Sequence, residues 1–511
     1  MHTKVLSATT IGTQAHLVEV EVDVAFGLVQ FYIVGLPDTA IKESSKRILA
    51  ALKNSGCRLP AKKITVNLAP ADLKKEGTLF DLPIALGILI ATEQLEVDKQ
   101  FLQETVFLGE LSLDGSLRFI KGALAIAYDM AKMGKRRIIV PEKNAQEAAL
   151  IKGIEVLAVK HITELVAILR GEQTPQPVKT SETYVPTKTD HILDFSQVKG
   201  QAVAKRALQI AAAGRHNILF IGSPGAGKTM LAKRLASIMP PMSFDEMLET
   251  SKIYSICGKL LEQPLITHRP FRCPHHTTSQ AGLIGGGSFP QPGEISLAHH
   301  GILFLDELTE FKRETLEALR QPLESKEVNI ARAQQSIQFP AGFLLVAALN
   351  PCPCGFFGDK TKECVCSKNQ IARYLQKLSG PLLDRIDLQI YVENVSYDTI
   401  QDSSVLHTSS EQLFQKVAVA TENQKKRFDN KMCFNSQMTS SHVDEFCTVT
   451  EQGRQLLKNA FERLNLSMRG YHKLLKVART IADLESSPQI DVAHIQEAIM
   501  YRSLDKFMEK L

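Results

Sequence analysis

The sequence lacks the apolar segments that mark membrane and secreted proteins. No apolar run approaches the roughly 18 residues of a bilayer-spanning helix. The first residues, MHTKVLSATTIG, contain no long apolar core of the signal-peptide type. Tandem repeats and low-complexity tracts are also absent. We therefore exclude repeat architectures and expect a cytoplasmic protein with no membrane partner.

A large excess of charge of one sign is missing as well. The 511 residues carry a net charge of +5, and 44% of them are hydrophobic and 23% charged. This is the composition of a soluble globular protein with roughly two to four domains. The mildly basic balance permits a polyanionic partner, but charge alone does not identify one.

Alternating strand-like and helical patterns divide the chain into four predicted regions. Residues 1–172 form an α/β domain, 173–190 a linker rich in Pro, Thr and Lys, 191–395 a second α/β domain, and 396–511 a helical lid. In the first region we predict strands at 16–24, 29–34, 64–68, 105–113 and 137–140, and helices at 39–54, 82–93, 123–132 and 145–151. In the lid we predict helices at 409–428, 450–464, 472–485 and 491–502.

The strongest motif is the run ILFIGSPGAGKT, residues 218–229, in which a strand-like segment leads into the phosphate-loop pattern G-x-x-x-x-G-K-[ST]. Its glycines allow successive N–H groups to turn toward a phosphate, and the following helix adds its positive end. We expect Lys228 to reach the β- and γ-phosphates of ATP and Thr229 to reach Mg²⁺. The residues expected to bind the nucleotide and its metal are Gly222, Ser223, Pro224, Gly225, Ala226, Gly227, Lys228, Thr229 and Asp306.

Two further strand-like runs end in polar residues suited to ATP hydrolysis. In GILFLDEL, residues 301–308, we expect Asp306 to hold Mg²⁺ through water and Glu307 to polarise the attacking water. Strands often end in acids, so the pair is informative only because a phosphate loop precedes it. The run FLLVAAL ends at Asn350, which is placed to orient the same water. Asn also terminates strands commonly, so its position carries this interpretation.

Residues 264–300 lie between the phosphate loop and GILFLDEL, and their pattern is typical of a loop-like insertion outside the core. The pairs His275-His276 and His299-His300 lie in it. Metal binding and nucleic-acid contact are alternatives for them, but adjacent histidines point in divergent directions, which favours a hydrogen-bonding role. Downstream, residues 327–332 and 336–339 predict a β-hairpin about a turn at 333–335.

Four of the nine cysteines cluster in PCPCGFFGDKTKECVCS. Cys352, Cys354, Cys364 and Cys366 on one short loop suit a tetrahedral Zn²⁺ ion. The C-x-C halves are tighter than the usual C-x₂-C, which makes the motif less specific, and structural or redox thiols are the alternative. Because all four thiols come from one loop, the predicted zinc has a structural and not a catalytic role.

The first region resembles the Lon-protease-like domain in EGTLFDLPIALGIL, from Glu76, and GELSLDGSLRFIKGALAIA, from Gly109. That family takes a catalytic Ser and Lys from these two places. This chain has Leu79-Phe80-Asp81 at the serine position and Leu124 at the lysine position, so the nucleophile and base are missing. We expect a non-proteolytic scaffold, for which a DNA-facing surface remains open.

The whole chain resembles the AAA+ ATPases, in the branch of magnesium chelatase subunits and MCM helicases. The runs FRCPHHTTS, PGEISLAHHGILFLDELTEF, FPAGFLLVAALNPCPCG and RGYHKLLKVARTIADL make it similar to the bacterial ComM/YifB family. That resemblance implies a homo-hexamer, assembled on ATP and DNA. It also implies a DNA helicase that drives branch migration on single-stranded and branched DNA in natural transformation, with recombination proteins as further partners.

The resemblance also suggests roles for three arginines. Arg332 is the cation nearest the tip of a hairpin that such helicases push into the DNA channel. Arg385, in LLDRID, is expected at the surface as an arginine finger for the neighbouring subunit, and the alternative is pairing with Asp384 or Asp387. Arg469, or else Arg479, is expected to sense the γ-phosphate, unless both are solvated helix charges.

Two alternative functions remain for the whole chain. They are a chelatase-type ATPase acting on a protein and an ATP-dependent Lon-like protease.

Overall fold

The computed structural model describes residues 2–179, 193–260, 263–287, 290–331, 336–395, 408–429, 433–464 and 466–502. The chain forms two compact units. The N-terminal unit comprises Met1–Val185 and Phe244–Thr267, and the C-terminal unit comprises Pro186–Ser243 and His268–Leu511. The segment Phe244–Thr267 thus belongs to the N-terminal unit, although its sequence lies inside the range that we assigned to the second α/β domain. Within the described residues, no helix is both long and apolar enough to cross a membrane.

The N-terminal unit is built on a mixed seven-stranded sheet with the order β3-β4-β2-β1-β5-β8-β9. Its strands, with the separate pair β6 and β7, are β1 His2–Ile11, β2 Gln14–Ala25, β3 Phe31–Val34, β4 Lys63–Ala69, β5 Thr105–Phe107, β6 Glu110–Leu111, β7 Leu117–Arg118, β8 Arg137–Pro141 and β9 Glu155–Val159. Strand β1 pairs antiparallel with β2 and parallel with β5, which places it inside the sheet. We did not predict β1 or β9. In β1, the buried polar residue Ser7 interrupts the apolar pattern and donates a hydrogen bond to the Phe107 carbonyl at 3.0 Å.

Seven helices are described in this unit: Thr39–Asn54, Asp81–Ala91, Lys99–Glu104, Ala123–Lys132, Glu142–Ala148, Ile162–Leu169 and Phe244–Ile256. The helix Phe244–Ile256 packs against Ala123–Lys132. The Gly122 N–H donates to the Ser255 carbonyl at 3.0 Å, and the Ser255 hydroxyl donates to Glu147 at 2.7 Å. These buried polar contacts explain why Phe244–Ile256 belongs with the N-terminal unit.

The positions that correspond to the Lon-type dyad are filled by core residues. Leu79, Phe80 and Leu124 are buried. Asp81 is also buried, and its carboxylate accepts two hydrogen bonds from Arg47, at 2.9 and 3.1 Å. These side chains therefore contribute packing and a structural ion pair.

The C-terminal unit contains a parallel five-stranded sheet with the order β11-β14-β17-β10-β18. The strands of this unit are β10 Ile218–Ile221, β11 Phe271–Arg272, β12 Gly285–Gly286, β13 Gln291–Pro292, β14 Ile302–Leu305, β15 Glu327–Ala331, β16 Ser336–Pro340, β17 Leu344–Leu349 and β18 Leu388–Tyr391. The residues of β10 and β14 are all buried, as expected for parallel strands covered on both faces. Because all five strands are parallel, their carboxyl ends lie at the same edge of the sheet. The adjacent strands β10, β14 and β17 bring the predicted site residues to that edge.

The prediction that residues 264–300 lie outside the core is wrong. Strand β11 pairs with β14 and completes the edge of the five-stranded sheet. Leu283, Ile295 and Leu297 are buried. A strand of two residues shows no periodicity, so the sequence pattern did not reveal it.

The C-terminal unit contains two groups of helices. Those before residue 396 belong to the α/β part, and those from Ser410 onward form the predicted helical lid. The helices are Ala202–Gly214, Lys228–Arg234, Gln280–Ile284, Glu294–Leu297, Arg313–Glu317, Arg320–Ser325, Lys368–Leu375, Gly380–Leu383, Ser410–Arg427, Ser440–Phe446, Glu451–Arg463, Met468–Leu484 and Val492–Met500. Ser410–Arg427 and Met468–Leu484 both pack on Ala202–Gly214. The α/β fold class with a helical lid is thereby confirmed.

Candidate nucleotide-binding site

The phosphate loop, residues 222–229, follows the central strand β10. The Gly222 N–H donates to the Leu349 carbonyl at 3.3 Å. A Cβ atom at Gly222 would lie 2.4 Å from the Val392 carbonyl oxygen, so only glycine fits where β10 ends beside this chain segment. Gly225 and Gly227 have φ values of +83° and +90°, which favour glycine. The loop shape therefore depends on the glycines that define the motif.

Lys228 lies at the centre of this loop. Its Nζ donates to the carbonyls of Gly222 and Ser223 at 2.6 and 3.0 Å, and to Asn350 Oδ1 at 3.1 Å. Burial lowers the pKa of Lys228, and the charges of Asp306 and Glu307 oppose that shift. The structure thus brings the phosphate-binding lysine and Asn350 together. Phosphate oxygens would replace the carbonyl acceptors when a nucleotide binds.

Thr229 and Asp306 form the oxygen set suited to Mg²⁺. The Thr229 hydroxyl donates to Asp306 Oδ2 at 2.7 Å. A hydroxyl and a carboxylate are hard oxygen donors, and Mg²⁺ in phosphate-loop enzymes uses one or two such ligands together with phosphate oxygens and water. These two residues, which we predicted, therefore fit the metal.

Glu307 lies at the end of the same strand and has a neighbour that we did not predict. The residue is in the left-handed region, with φ of 51°, and its side chain is 56% exposed. His276 Nδ1 lies 3.5 Å from Glu307 Oε2. No sequence pattern predicts this pairing, because it depends on the two-residue strand β11, which places the following segment with His276 at the site. The Nδ1 atom of His275 lies 2.8 Å from the Thr277 hydroxyl oxygen.

The four clustered cysteines converge. The sulfur of Cys352 lies 3.3 Å from that of Cys354 and 3.6 Å from that of Cys364, and the four sulfurs lie within 4.8 Å of one another. A tetrahedral zinc site with bonds of about 2.3 Å separates its sulfurs by about 3.8 Å. The arrangement of thiols fits one such ion.

Comparisons with known proteins agree with this geometry. The family model described as magnesium chelatase, subunit ChlI, matches residues 194–400. The model for subunit ChlI of Mg-chelatase matches residues 20–144, and the model for the ChlI C-terminal region matches 407–502. The chain is 44% identical over 510 residues to competence protein ComM of Haemophilus influenzae, covering 99% of this chain and 98% of ComM. It is 43% identical over 498 residues to protein YifB of Escherichia coli, covering 98% and 96%.

The chain belongs to the ComM/YifB family of magnesium-chelatase-like AAA+ ATPases. Membership in this family implies ATP hydrolysis with ATP and Mg²⁺ at the phosphate loop. A shorter match joins the chain to Lon protease 2 of Bacillus subtilis, at 28% identity over 127 residues, covering 24% of this chain and 22% of that protease.

In this ComM/YifB-family chain, Arg385 is held more tightly than we expected. Its side chain is only 10% exposed, so the expectation of a surface guanidinium is wrong for the single chain. Nη2 pairs with Glu324 Oε1 at 2.8 Å, and Nε donates to the Arg320 carbonyl at 3.1 Å. The predicted alternatives, Asp384 and Asp387, are not the ion-pair partners that the described residues provide.

The two lid arginines have different environments. Arg479 is buried, and it pairs with Asp483 at 3.1 Å and donates to the Ser487 and Pro488 carbonyls, so it stabilises the lid. Arg469 is 44% exposed and pairs with the same Glu324 oxygen as Arg385. The Arg479 side chain is paired within the lid, and the sensor role of Arg469 stays a prediction.

Proposed function

We propose that this chain is an ATP-driven DNA motor. It assembles into a homo-hexamer on ATP and DNA in the cytoplasm, and it drives branch migration of recombination intermediates during natural transformation. Full-length similarity to competence protein ComM supports the pathway. Single-stranded and branched DNA are its proposed substrates, and recombination proteins are its further partners.

The observation that carries the proposal is the hairpin of β15 and β16. Val328 pairs with Phe339 and Ile330 pairs with Ile337, and these four residues are buried on one face. Such packing anchors the base of the hairpin in the ATPase unit. The proposed DNA contact, Arg332, lies outside the described residues.

The hairpin is connected to the nucleotide site by a short path. The Ala341 N–H donates to the Lys326 carbonyl at 2.7 Å and closes the hairpin base. Strand β17 then begins at Leu344 and ends next to Asn350, whose side chain accepts the hydrogen bond from Lys228. A change at the γ-phosphate that moves Asn350 would therefore be transmitted along a buried strand to the hairpin.

The residues of the site divide the work of hydrolysis. Lys228 neutralises phosphate charge, and Thr229 and Asp306 would hold the Mg²⁺ that offsets charge developing in the transition state. Glu307 orients and polarises the attacking water. We further propose that Arg385, once the neighbouring subunit displaces it from Glu324, acts on that subunit's γ-phosphate.

Alternative functions receive less support. The matches to magnesium chelatase subunits favour an ATPase that remodels a protein partner as the second candidate. That function would need an integrin-like protein partner and gives the cysteine cluster no purpose. A Lon-like protease is disfavoured, because core residues fill the positions of its dyad.

The decisive experiment measures DNA-dependent ATP hydrolysis and branch migration of a labelled four-way junction by the purified full-length protein. We expect DNA to stimulate ATP hydrolysis. We expect branch migration to separate the junction into its labelled duplex products only with hydrolysable ATP. Strong ATPase activity that DNA leaves unchanged, without branch migration, would reject the motor and favour the chelatase-type remodeller.

A matched pair of variants tests the hairpin. Arg332→Ala should reduce branch migration while retaining basal ATPase activity, and it should lower the slope of log binding constant against log salt by about 1. Arg313→Ala removes one exposed positive charge from the same unit and should leave that slope unchanged. Equal effects of the two variants would argue against a specific hairpin contact.

A further inference from the structure

The cysteine loop, residues 352–366, packs directly on the phosphate loop. The Ser223 hydroxyl donates a hydrogen bond to Asp359 Oδ2. Gly355 has φ of +86°, and a Cβ atom there would lie 2.7 Å from Pro224 Cδ. Two adjacent phosphate-loop residues, Ser223 and Pro224, are therefore contacted by one segment that carries no nucleotide-binding motif of its own.

Asp359 joins three segments of the chain. Its Oδ1 accepts from the N–H groups of Thr361 and Lys362, at 2.7 and 3.2 Å, which fixes the turn of the cysteine loop. Its Oδ2 accepts from the Asn394 side chain at 2.7 Å and from Ser223. Asn394 follows strand β18, the neighbour of the strand that leads into the phosphate loop. The carboxylate thus holds the cysteine loop, the phosphate loop and the sheet edge together.

The position of Asp359 depends on the thiol cluster. The residue lies between Cys354 and Cys364, whose sulfurs are 3.6 Å apart. The Phe357 N–H donates to the Cys352 sulfur at 3.3 Å, and the Asp359 N–H donates to the Phe356 carbonyl at 3.0 Å. An ion that draws the four thiolates together fixes this loop, and its loss releases the segment that carries Asp359.

We propose that Asp359 is a positioning residue that makes the nucleotide affinity of the phosphate loop depend on the metal state of the four cysteines. The inference rests on the proposed zinc site and on the ATPase assignment, and it is independent of the DNA motor. Coupling of this kind is reciprocal, so nucleotide binding must also slow the loss of the metal. The protein would then bind ATP weakly wherever its thiols are oxidised or stripped of metal.

The experiment measures zinc release from the full-length protein with a zinc-sensitive dye, after addition of a thiol-blocking mercurial, with and without saturating MgADP. We expect MgADP to slow release about 5-fold or more in the wild type, the lower end of usual allosteric coupling. Asp359→Asn should bind zinc at the same stoichiometry and reduce the protection to nearly 1-fold. Glu363→Gln, an exposed carboxylate in the same loop, is the matched control and should retain full protection.

A second measurement uses a fluorescent ADP analogue. Removal of zinc should weaken its binding to the wild type about 5-fold or more, and should have little further effect on Asp359→Asn. If Asp359→Asn does not fold, Ser223→Ala breaks the same contact from the other side, and the same loss of protection is expected. If the protein holds zinc and binds ADP, but MgADP leaves the rate of zinc release unchanged, the coupling alone would be overturned. Protein that is purified without zinc, takes up no added zinc and still binds ADP would overturn both the zinc site and the coupling. Protein that binds no ADP would overturn the ATPase assignment.

Discussion

Glu324 Oε1 lies 2.8 Å from Nη2 of Arg385, and the same oxygen accepts a hydrogen bond from Arg469. The two guanidinium groups hold the pKa of Glu324 below its usual value, chiefly through the bond from Arg385. One carboxylate therefore binds both arginines that we assign to the γ-phosphate. In the proposed hexamer, a neighbouring subunit would have to displace Glu324 before Arg385 could reach that subunit's nucleotide.

Arg385→Ala is expected to retain ATP binding and to lose hydrolysis by about 10³-fold or more, because the finger stabilises charge that develops only in the transition state. Steady-state ATPase rates and nucleotide titrations check this. Mixing inactive Arg385→Ala and inactive Lys228→Ala subunits should restore activity, since some interfaces then combine an intact loop with an intact finger. Normal hydrolysis by Arg385→Ala alone, with DNA present, would contradict the shared site.

Lys228→Ala and Glu307→Gln are expected to fail at different steps. Loss of Lys228 removes the counter-charge for the phosphates and should abolish nucleotide binding. Glu307→Gln keeps that charge and should bind ATP normally while hydrolysis falls by about 10²- to 10⁴-fold. Binding of a fluorescent ATP analogue and single-turnover hydrolysis separate the two. Equal losses of ATP affinity would refute the role of Glu307 in water activation.

Chelation should remove about one Zn²⁺ per chain and unfold the cysteine loop locally. The four thiolates lose the ion that offsets their mutual repulsion, so we expect faster hydrogen exchange at residues 352–366 with the sheet unaffected. Elemental analysis and hydrogen-exchange mass spectrometry measure these effects. Metal-free protein with full activity and four titratable thiols would rule the site out.

Asp81 predicts a pH dependence of stability in the N-terminal unit. Burial raises the pKa of Asp81 to about 6, although the hydrogen bonds from Arg47 lower it. The folded chain therefore holds this proton more tightly than the unfolded chain, whose Asp pKa is about 3.9. The resulting stability is fully present below pH about 4 and is lost as the pH rises to about 6, by roughly 3 kcal/mol.

Asp81→Asn should remove that part of the pH dependence. Thermal unfolding of the N-terminal unit between pH 4.5 and 7.5, measured in the full-length wild type and variant, tests it. Asp72→Asn, at an exposed position of the same unit, should follow the wild type. Parallel melting curves for wild type and Asp81→Asn across this range would show that burial does not retain the proton.

Long periodic elements of this chain follow from the sequence, whereas short or interrupted elements do not. Helices Thr39–Asn54 and Ala123–Lys132 have the predicted bounds, because their apolar periodicity extends over several turns. The segments β1 and β11 were missed, because a buried polar residue or a length of two residues removes the periodic signal.

The chemistry of the site followed from the sequence by itself, because phosphate loop, Asp306-Glu307 and Asn350 each combine a local strand with a fixed terminal residue. Only the tertiary structure decided which side chains surround them. Ser223 and Asp359 are 136 positions apart, and no sequence motif connects them. Three other contacts also join residues that are far apart in the sequence. They are His276 with Glu307, Glu324 with Arg385, and Phe244–Ile256 with the N-terminal unit. Local patterns determine backbone conformation and terminal chemistry, whereas contacts between distant residues depend on how the chain packs.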